Sequence, residues 1–151
     1  MSLIETITDD VVTELNRYVH VWRLGDPNPE DFTAVRAYVV SFDLQQLRTL
    51  QVTVVPKSAE LGTVGRRMVQ TDLQIDIGVQ RKLTTNDDIA EIDGLLNLVE
   101  GINNYLRTKR EFADAIWVKS EIAPLYSLEH LIESRLFTSV ITVTLRAVTS
   151  L

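Results

Sequence analysis

The chain has no cysteine, which excludes disulfides, thiolate nucleophiles and cysteine-based zinc sites together and fits a reducing compartment. Histidine is nearly as scarce. His20 and His130 are the whole supply, and two ligands do not complete a metal site that needs three or four. No run approaches the roughly 18 consecutive apolar residues of a membrane span. The opening "MSLIETITDD" lacks the basic n-region of a signal peptide, so a soluble, cytoplasmic domain is expected. Basic charge is short as well: the net charge is −6 and the pI about 4.9, against a broad phosphate-binding surface. Trp22 and Trp117 are too isolated to be a base-stacking platform. No G-x-S-x-G occurs, and nothing in the sequence recommends a serine triad.

What is present suits one globular domain over residues 1–151, with 45% hydrophobic and 24% charged residues and no low-complexity tract. A chain of this length buries roughly 70% of its unfolded surface. "SLIETITDDVVTELNRYV" places Ile4, Ile7, Val11, Val12, Leu15, Tyr18 and Val19 on one helical stripe, with Ser2 as N-cap. "RLGDPNPEDF" ends that helix. His20 is expected beside Trp22 as a partly buried side chain. "TAVRAYVV" (Thr33–Val40) reads as a strand, and "SFDLQQLRTL" is ambiguous, with Asp43 able to cap one helical turn. "LQVTVVP" is a β-branched strand that Pro56 is expected to close.

The segment "KSAELGTVGRR" has no period and reads as the long tip of a hairpin. "TDLQIDIGVQRKL" then alternates strictly, with Leu73, Ile75, Ile77 and Val79 on the inner face. "TTNDDIAEIDGLLNLVEGINNYLRTKR" predicts a helix with Ile89, Ile92, Leu95, Leu96, Val99, Ile102 and Leu106 on one face. Asn86 or Thr85 is the expected cap, with Asp87 and Asp88 at the positive end of the helix. Gly94 and Gly101 each cost such a helix about 1 kcal/mol relative to alanine, unless they permit close packing against a sheet. "DAIWVKSEIAPLY" is another strand, ending near Pro124. "SLEHLIESR" is a helical turn or an extended lead-in, and "LFTSVITVTLRAVTSL" is a long final strand. The order α-β-β-β-α-β-β predicts an α+β fold, an antiparallel-dominated sheet with two main helices packed on it.

The paired acids invite a test for chemistry. Asp72 and Asp76 lie about 13 Å apart along one strand, beyond the ~5–9 Å of a working carboxylate pair, so they read as solvating charges. Asp9–Asp10 and Asp87–Asp88 diverge by about 100° around their helices. His130 and Glu133 could form an i, i+3 pair. "GTVGRR" runs into a strand, whereas a phosphate cradle would run into a helix, so it reads as a hairpin tip. No catalytic, cofactor-binding or metal residue is assigned, no cofactor is expected, and an enzyme is the least favoured class. On the final strand, Phe137, Ile141, Val143, Leu145 and Ala147 make one face, interrupted by Ser139. Thr138, Val140, Thr142, Thr144, Arg146 and Val148 make a second face that is only half polar. That face suits either an ordinary sheet or contact with another subunit.

The phrases "VTVVPKSAE", "DLQIDIGVQRKL", "EIDGLLNLVEGINNYL" and "PLYSLEHLIESRLFTSVITVTLRAV", following an opening helix, cover most of the chain. In that arrangement it resembles the tail terminators, the head–tail joining neck proteins of tailed bacteriophages. The resemblance implies a non-enzymatic virion component, assembled in the host cytoplasm. It would form a homohexameric ring, cap the tail tube, and meet a head-side connector or stopper protein. DNA would pass through the ring without sequence-specific contacts, and no membrane would be involved. Candidate subunit or partner contacts are Lys57, Glu60, Arg66, Arg67, Val140 and Val148. A head-completion or stopper protein of the same neck, and a small non-viral α+β binding domain, are the alternatives.

Overall fold

The computed structural model describes residues 2–25, 31–39 and 46–150. Helix α1 spans Leu3–Gly25. The Ser2 hydroxyl accepts from the Glu5 amide at 3.1 Å, closing its first turn as an N-cap should. Ile7, Val11, Leu15, Tyr18 and Val19 form the buried stripe, whereas Ile4 at the first turn is exposed. His20 is exposed, not partly buried as expected, because the helix continues past it and its position falls off the stripe. The proposed Asp43 cap lies outside the described residues; the turn after it is a 3-10 helix, Gln46–Arg48, with Leu47 buried.

Six strands follow in one sheet: β1 (Ala34–Arg36), β2 (Gln51–Thr63), β3 (Met68–Lys82), β4 (Glu111–Phe112), β5 (Ala115–Ile122) and β6 (Leu136–Ser150), in spatial order β1-β2-β3-β6-β5-β4. Between them lie α2 (Asp88–Lys109) and α3 (Leu128–Ser134). The α+β class holds, but the sheet is mixed rather than antiparallel-dominated as expected. β1 runs parallel to β2, and the other neighbours pair antiparallel. Residues 37–50 supply a connection long enough to return the chain to the same end of the sheet, as a parallel pair needs. The element order differs from the expected one by the short β4 and by α3.

Pro56 corrects two expectations at once. It does not close β2, which runs on to Thr63 with an irregularity between Pro56 and Ser58. It ends the pairing of β1 instead. The last bond across that pair is from the Ala37 amide to the Val54 carbonyl at 3.0 Å. In a parallel ladder the next would come from the amide of residue 56, and proline has none. The expected strand Thr33–Val40 is therefore only Ala34–Arg36 within the described residues. Past this point β2 is an edge strand, where proline is tolerated.

The core lies between the helices and one face of the sheet. Leu73, Ile75, Ile77 and Val79 on β3 and Phe137, Ile141, Val143, Leu145 and Ala147 on β6 are all buried there, as the alternation requires. Ser139 is buried with them and donates to the Pro124 carbonyl at 3.3 Å.

On α2 the buried residues are Leu95, Leu98, Val99, Ile102 and Leu106. Ile89, expected on this face, is exposed because at 100° per residue it lies about 120° around the helix from Leu95. The cap is Asp87, whose carboxylate accepts from the Ala90 amide at 3.2 Å; neither Asn86 nor Thr85 takes that place. Thr85 accepts from the Asp87 amide at 3.2 Å. Gly101 allows close packing, but against Tyr18 of α1 and not against the sheet. Glu14, buried on α1, joins the two helices: it accepts from the Tyr105 hydroxyl at 3.0 Å and pairs with Arg17 at 2.7 Å.

Candidate interaction surface

The sheet face turned away from α1 and α2 carries cross-strand polar pairs. Asp72 is level with Arg146, and Asp76 with Thr142. The Arg146 guanidinium donates to both Asp72 oxygens, at 2.8 and 3.1 Å. Thr142 donates to Asp76 at 2.6 Å, and the Ser58 hydroxyl to the Gln74 side-chain oxygen at 3.1 Å. Asp72 and Asp76 thus do more than solvate the strand, since each is held by its own partner on β6. The fork geometry of arginine fixes the register of β3 against β6 at that pair.

The Arg146 hydrogen bond holds the Asp72 carboxyl below its ordinary range; burial opposes this, and the positive charges of Arg146 and Lys119 add to it. A depressed carboxylate pKa contributes stability above the unfolded value, about 3.9, and loses it as pH falls through the folded value. Arg146→Met should therefore lower stability slightly at neutral pH, as for a partly exposed pair screened by solvent. The gap from wild type should narrow as acid protonates Asp72. Urea melts at a series of pH values would show it; a gap constant down to pH values below the Asp72 pKa would mean that the guanidinium acts through packing alone.

The β2–β3 hairpin extends the sheet into an arm. Lys57–Thr63 and the tip are exposed, including Leu61 (66%), Val64 (47%) and Met68 (38%). The tip closes with the Val64 amide donating to the Met68 carbonyl at 3.0 Å. Gly65 has φ +77°, a left-handed conformation that favours glycine. This corrects the view of Lys57–Arg67 as one long loop, since only Val64–Arg67 lies between the strands. The segment lacks an apolar period because helices cover neither of its faces.

Four of the six candidate contacts gather on this arm. Lys57 approaches Asp76 at 3.9 Å. Glu60 lies directly opposite Asp72, and Arg66 and Arg67 sit exposed in the tip. Val148 pairs with Gln70 on the open face and is 46% exposed. Beside it Ile116, Val118 and Trp117 line a shallow depression of about 450 Å³ with Arg146. Val140 is set apart: it is half-buried, and its backbone bonds to Ala123 and Pro124. The sequence reading missed Leu61, Ile116, Lys119 and Glu121; alternation within "AIWVKSEI" puts Lys119 and Glu121 on one face, and only the irregularity between Trp117 and Lys119 brings Ile116 onto it.

Elsewhere, a cleft of about 610 Å³ is lined by Trp22, Arg81, Glu91, Leu95 and Leu98 among others. Arg81 pairs with Glu91 at 2.6 Å, and the Thr84 and Thr85 amides donate to the same carboxylate. Burial pushes Glu91 up, but the hydrogen bonds of Thr85 and Thr84 and the charge of Arg81 outweigh it, leaving this carboxyl below its ordinary range. His130 does not pair with Glu133 as expected; its Nδ1 lies 2.8 Å from the Thr138 hydroxyl. Among the described residues no group of three or more His, Asp or Glu is placed to hold a metal ion, and no helix is long and apolar enough to cross a membrane. Comparison with protein-family models and with curated proteins finds no match.

Proposed function

We propose that this protein is a structural component of a tailed-phage neck: a tail terminator that self-associates into a ring, caps the tail tube and meets the head-side connector. The observation carrying this reading is the β2–β3 arm. It is an ordered projection with Leu61, Val64 and Met68 exposed, beside an open sheet face that also exposes Ile116 and Val148. Met68, Ile116 and Val148 share that face while Leu61 projects from the other, and monomeric domains rarely leave several large apolar side chains exposed on neighbouring strands without a partner. The resemblance of the sequence phrases to neck proteins supplies the kind of partner. In this reading the work is mechanical, no reaction is catalysed, and the site of action is the virion. A stopper of the same neck would use the same surfaces. The cleft beside Glu91 and Trp22 favours the second reading, a small binding domain, because its volume falls in the range of ligand pockets.

Val148→Asp tests the proposal. The side chain is already nearly half exposed, so the melting temperature should shift by no more than a few degrees, about 0.5 kcal/mol. A charge in a desolvated contact costs far more, so ring formation, or docking of the ring on the tail tube, should be lost. Val140→Asp should weaken the ring too, with a larger loss of stability because Val140 is half-buried. Solution mass and negative-stain images read both. A wild type that stays monomeric, alone and with tail-tube protein, refutes the ring.

A further inference from the structure

The sheet ends in two open edges. On one side β1 covers β2 only as far as Val54, and among the described residues nothing pairs with the outer side of Lys57–Thr63. On the other side β4 covers β5 only at Ala115 and Ile116, and the Arg110 carbonyl takes the Trp117 amide, which leaves Val118–Ile122 open. Unpaired edges with free amides and carbonyls are templates for another strand. Within the sheet β2 and β5 run in opposite directions, since three antiparallel pairings separate them. A second copy continuing the sheet in the same orientation would therefore bring its β5 antiparallel to β2 of the first.

The charges select one register. Glu60 and Lys119 both project from the open face, because Glu60 is level with Asp72 and Lys119 with Thr144. Glu121, level with Thr142, shares that face. Asp72 has Arg146 as its cation, whereas among the described residues Glu60, Lys119 and Glu121 have no ion-pair partner. Placing Glu60 opposite Lys119 sets Ser58 opposite Glu121, beside the Lys57 ammonium at the β2 irregularity. It also sets Leu61 against Val118 and Ala59 against Ser120. Sliding by two residues one way confronts Glu60 with Glu121, and the other way brings Lys119 level with Ser58 and beside Lys57. Like charges directly opposite are destabilising.

We propose that copies of this chain join head to tail by antiparallel pairing of Lys57–Leu61 of β2 with Val118–Ile122 of β5 in the next copy, with Glu60 facing Lys119. The contact rests on the ring reading for its closure. Inside one copy Lys119 is level with Ser58 through Thr144 and Gln74. Across the contact it faces Glu60, so each copy steps two residues along the strands, about 7 Å. A constant stagger of this kind tilts the strands, as a closed ring of sheets requires.

The absence of cysteine makes the test clean. Ala59→Cys with Ser120→Cys in one chain places the thiols directly across the contact, at a Cα separation of about 4.5–5.5 Å that a disulfide accepts. Oxidation, alone and with tail-tube protein, should give a ladder of covalent oligomers that reductant collapses. Mixing the two single variants should stop at dimers, and each single variant should stay uncrosslinked. Glu60→Lys and Lys119→Glu should each weaken assembly more than tenfold, and their combination should restore it. Melting curves identify any variant that fails to fold. Rings by mass without a ladder and without charge rescue overturn the edge pairing and leave the ring reading intact. Monomers under every condition overturn both, and dimers from Ala59→Cys alone show a symmetric edge contact that replaces this one.

Discussion

Replacing Gly62–Arg67 with a Gly/Ser segment of equal length is expected to leave a folded, ring-forming protein that no longer joins tails to heads. The fold should survive because the replaced positions are exposed, and exposed substitutions each cost about 0.5 kcal/mol or less. β3 keeps its full ladder to β6, from Met68–Ser150 to Lys82–Leu136. Thr63, Val64, Arg66 and Arg67 are the side chains that leave, while Leu61 and the edge residues Lys57 and Glu60 remain. An unstructured tip would have to bear about 1–2 kcal/mol per residue of backbone entropy on docking. Here the chain is already ordered as strands up to Thr63 and again from Met68, so docking gains are not spent on folding it. Two arginines at the end of an otherwise acidic protein suit an acidic partner surface. Infectious particles should fall to background while solution mass stays that of the wild type. Wild-type titres from this variant would remove the tip from the joining reaction.

The same segment shows what a sequence can and cannot say. β3 and β6 were legible because one face of each is buried, so Leu73 to Val79 and Phe137 to Ala147 had to alternate. Lys57–Thr63 is just as much a strand, but it is exposed on both faces, and no burial imposed a period on it. Pro56 looked like a strand end because the rule concerns a missing amide, not a side of the ladder. On β2 the missing amide faces outward and terminates β1 instead. Helix α2 was legible as a helix, but its face drifted: Leu98 is buried and Ile89 is exposed. At 100° per residue Ile89 lies about 120° around the helix from Leu95, whereas Leu98 falls within about 60° of it. Links between distant parts of the chain were beyond reach. Glu14 and Tyr105, or Asp72 and Arg146, meet only after the sheet and helices are assembled. Of the surface, the arm residues Lys57, Glu60, Arg66 and Arg67 were legible from composition. The β5 edge was not, since Lys119 and Glu121 become an edge only once β4 is seen to be two residues long.

Gly101→Ala is expected to destabilise the protein, against the helix propensity of the substitution. In an exposed helix the change would gain about 1 kcal/mol, and at Gly94, which has nothing near its missing Cβ, it should do so. At Gly101 the added methyl would overlap the Tyr18 hydroxyl oxygen and press the ring carbon behind it at 3.3 Å. Tyr18 is buried and its ring lies 5.0 Å from that of Tyr105, so it has little room to retreat. Overpacking of this kind costs about 1–3 kcal/mol, which outweighs the propensity gain at the upper end and cancels it at the lower. The Tyr18 hydroxyl is the atom at fault, so Tyr18→Phe should relieve most of the strain. The double variant Tyr18→Phe/Gly101→Ala should then be more stable than Gly101→Ala alone, with a coupling of about 0.5–3 kcal/mol in the cycle, as for residues in direct contact. Denaturant melts of the four proteins measure it. Additive effects at the two positions would mean that α1 shifts as a whole to admit the methyl. In that case the Glu14–Tyr105 hydrogen bond beside it should be the next to weaken, read by Tyr105→Phe losing its cost in the Gly101→Ala background.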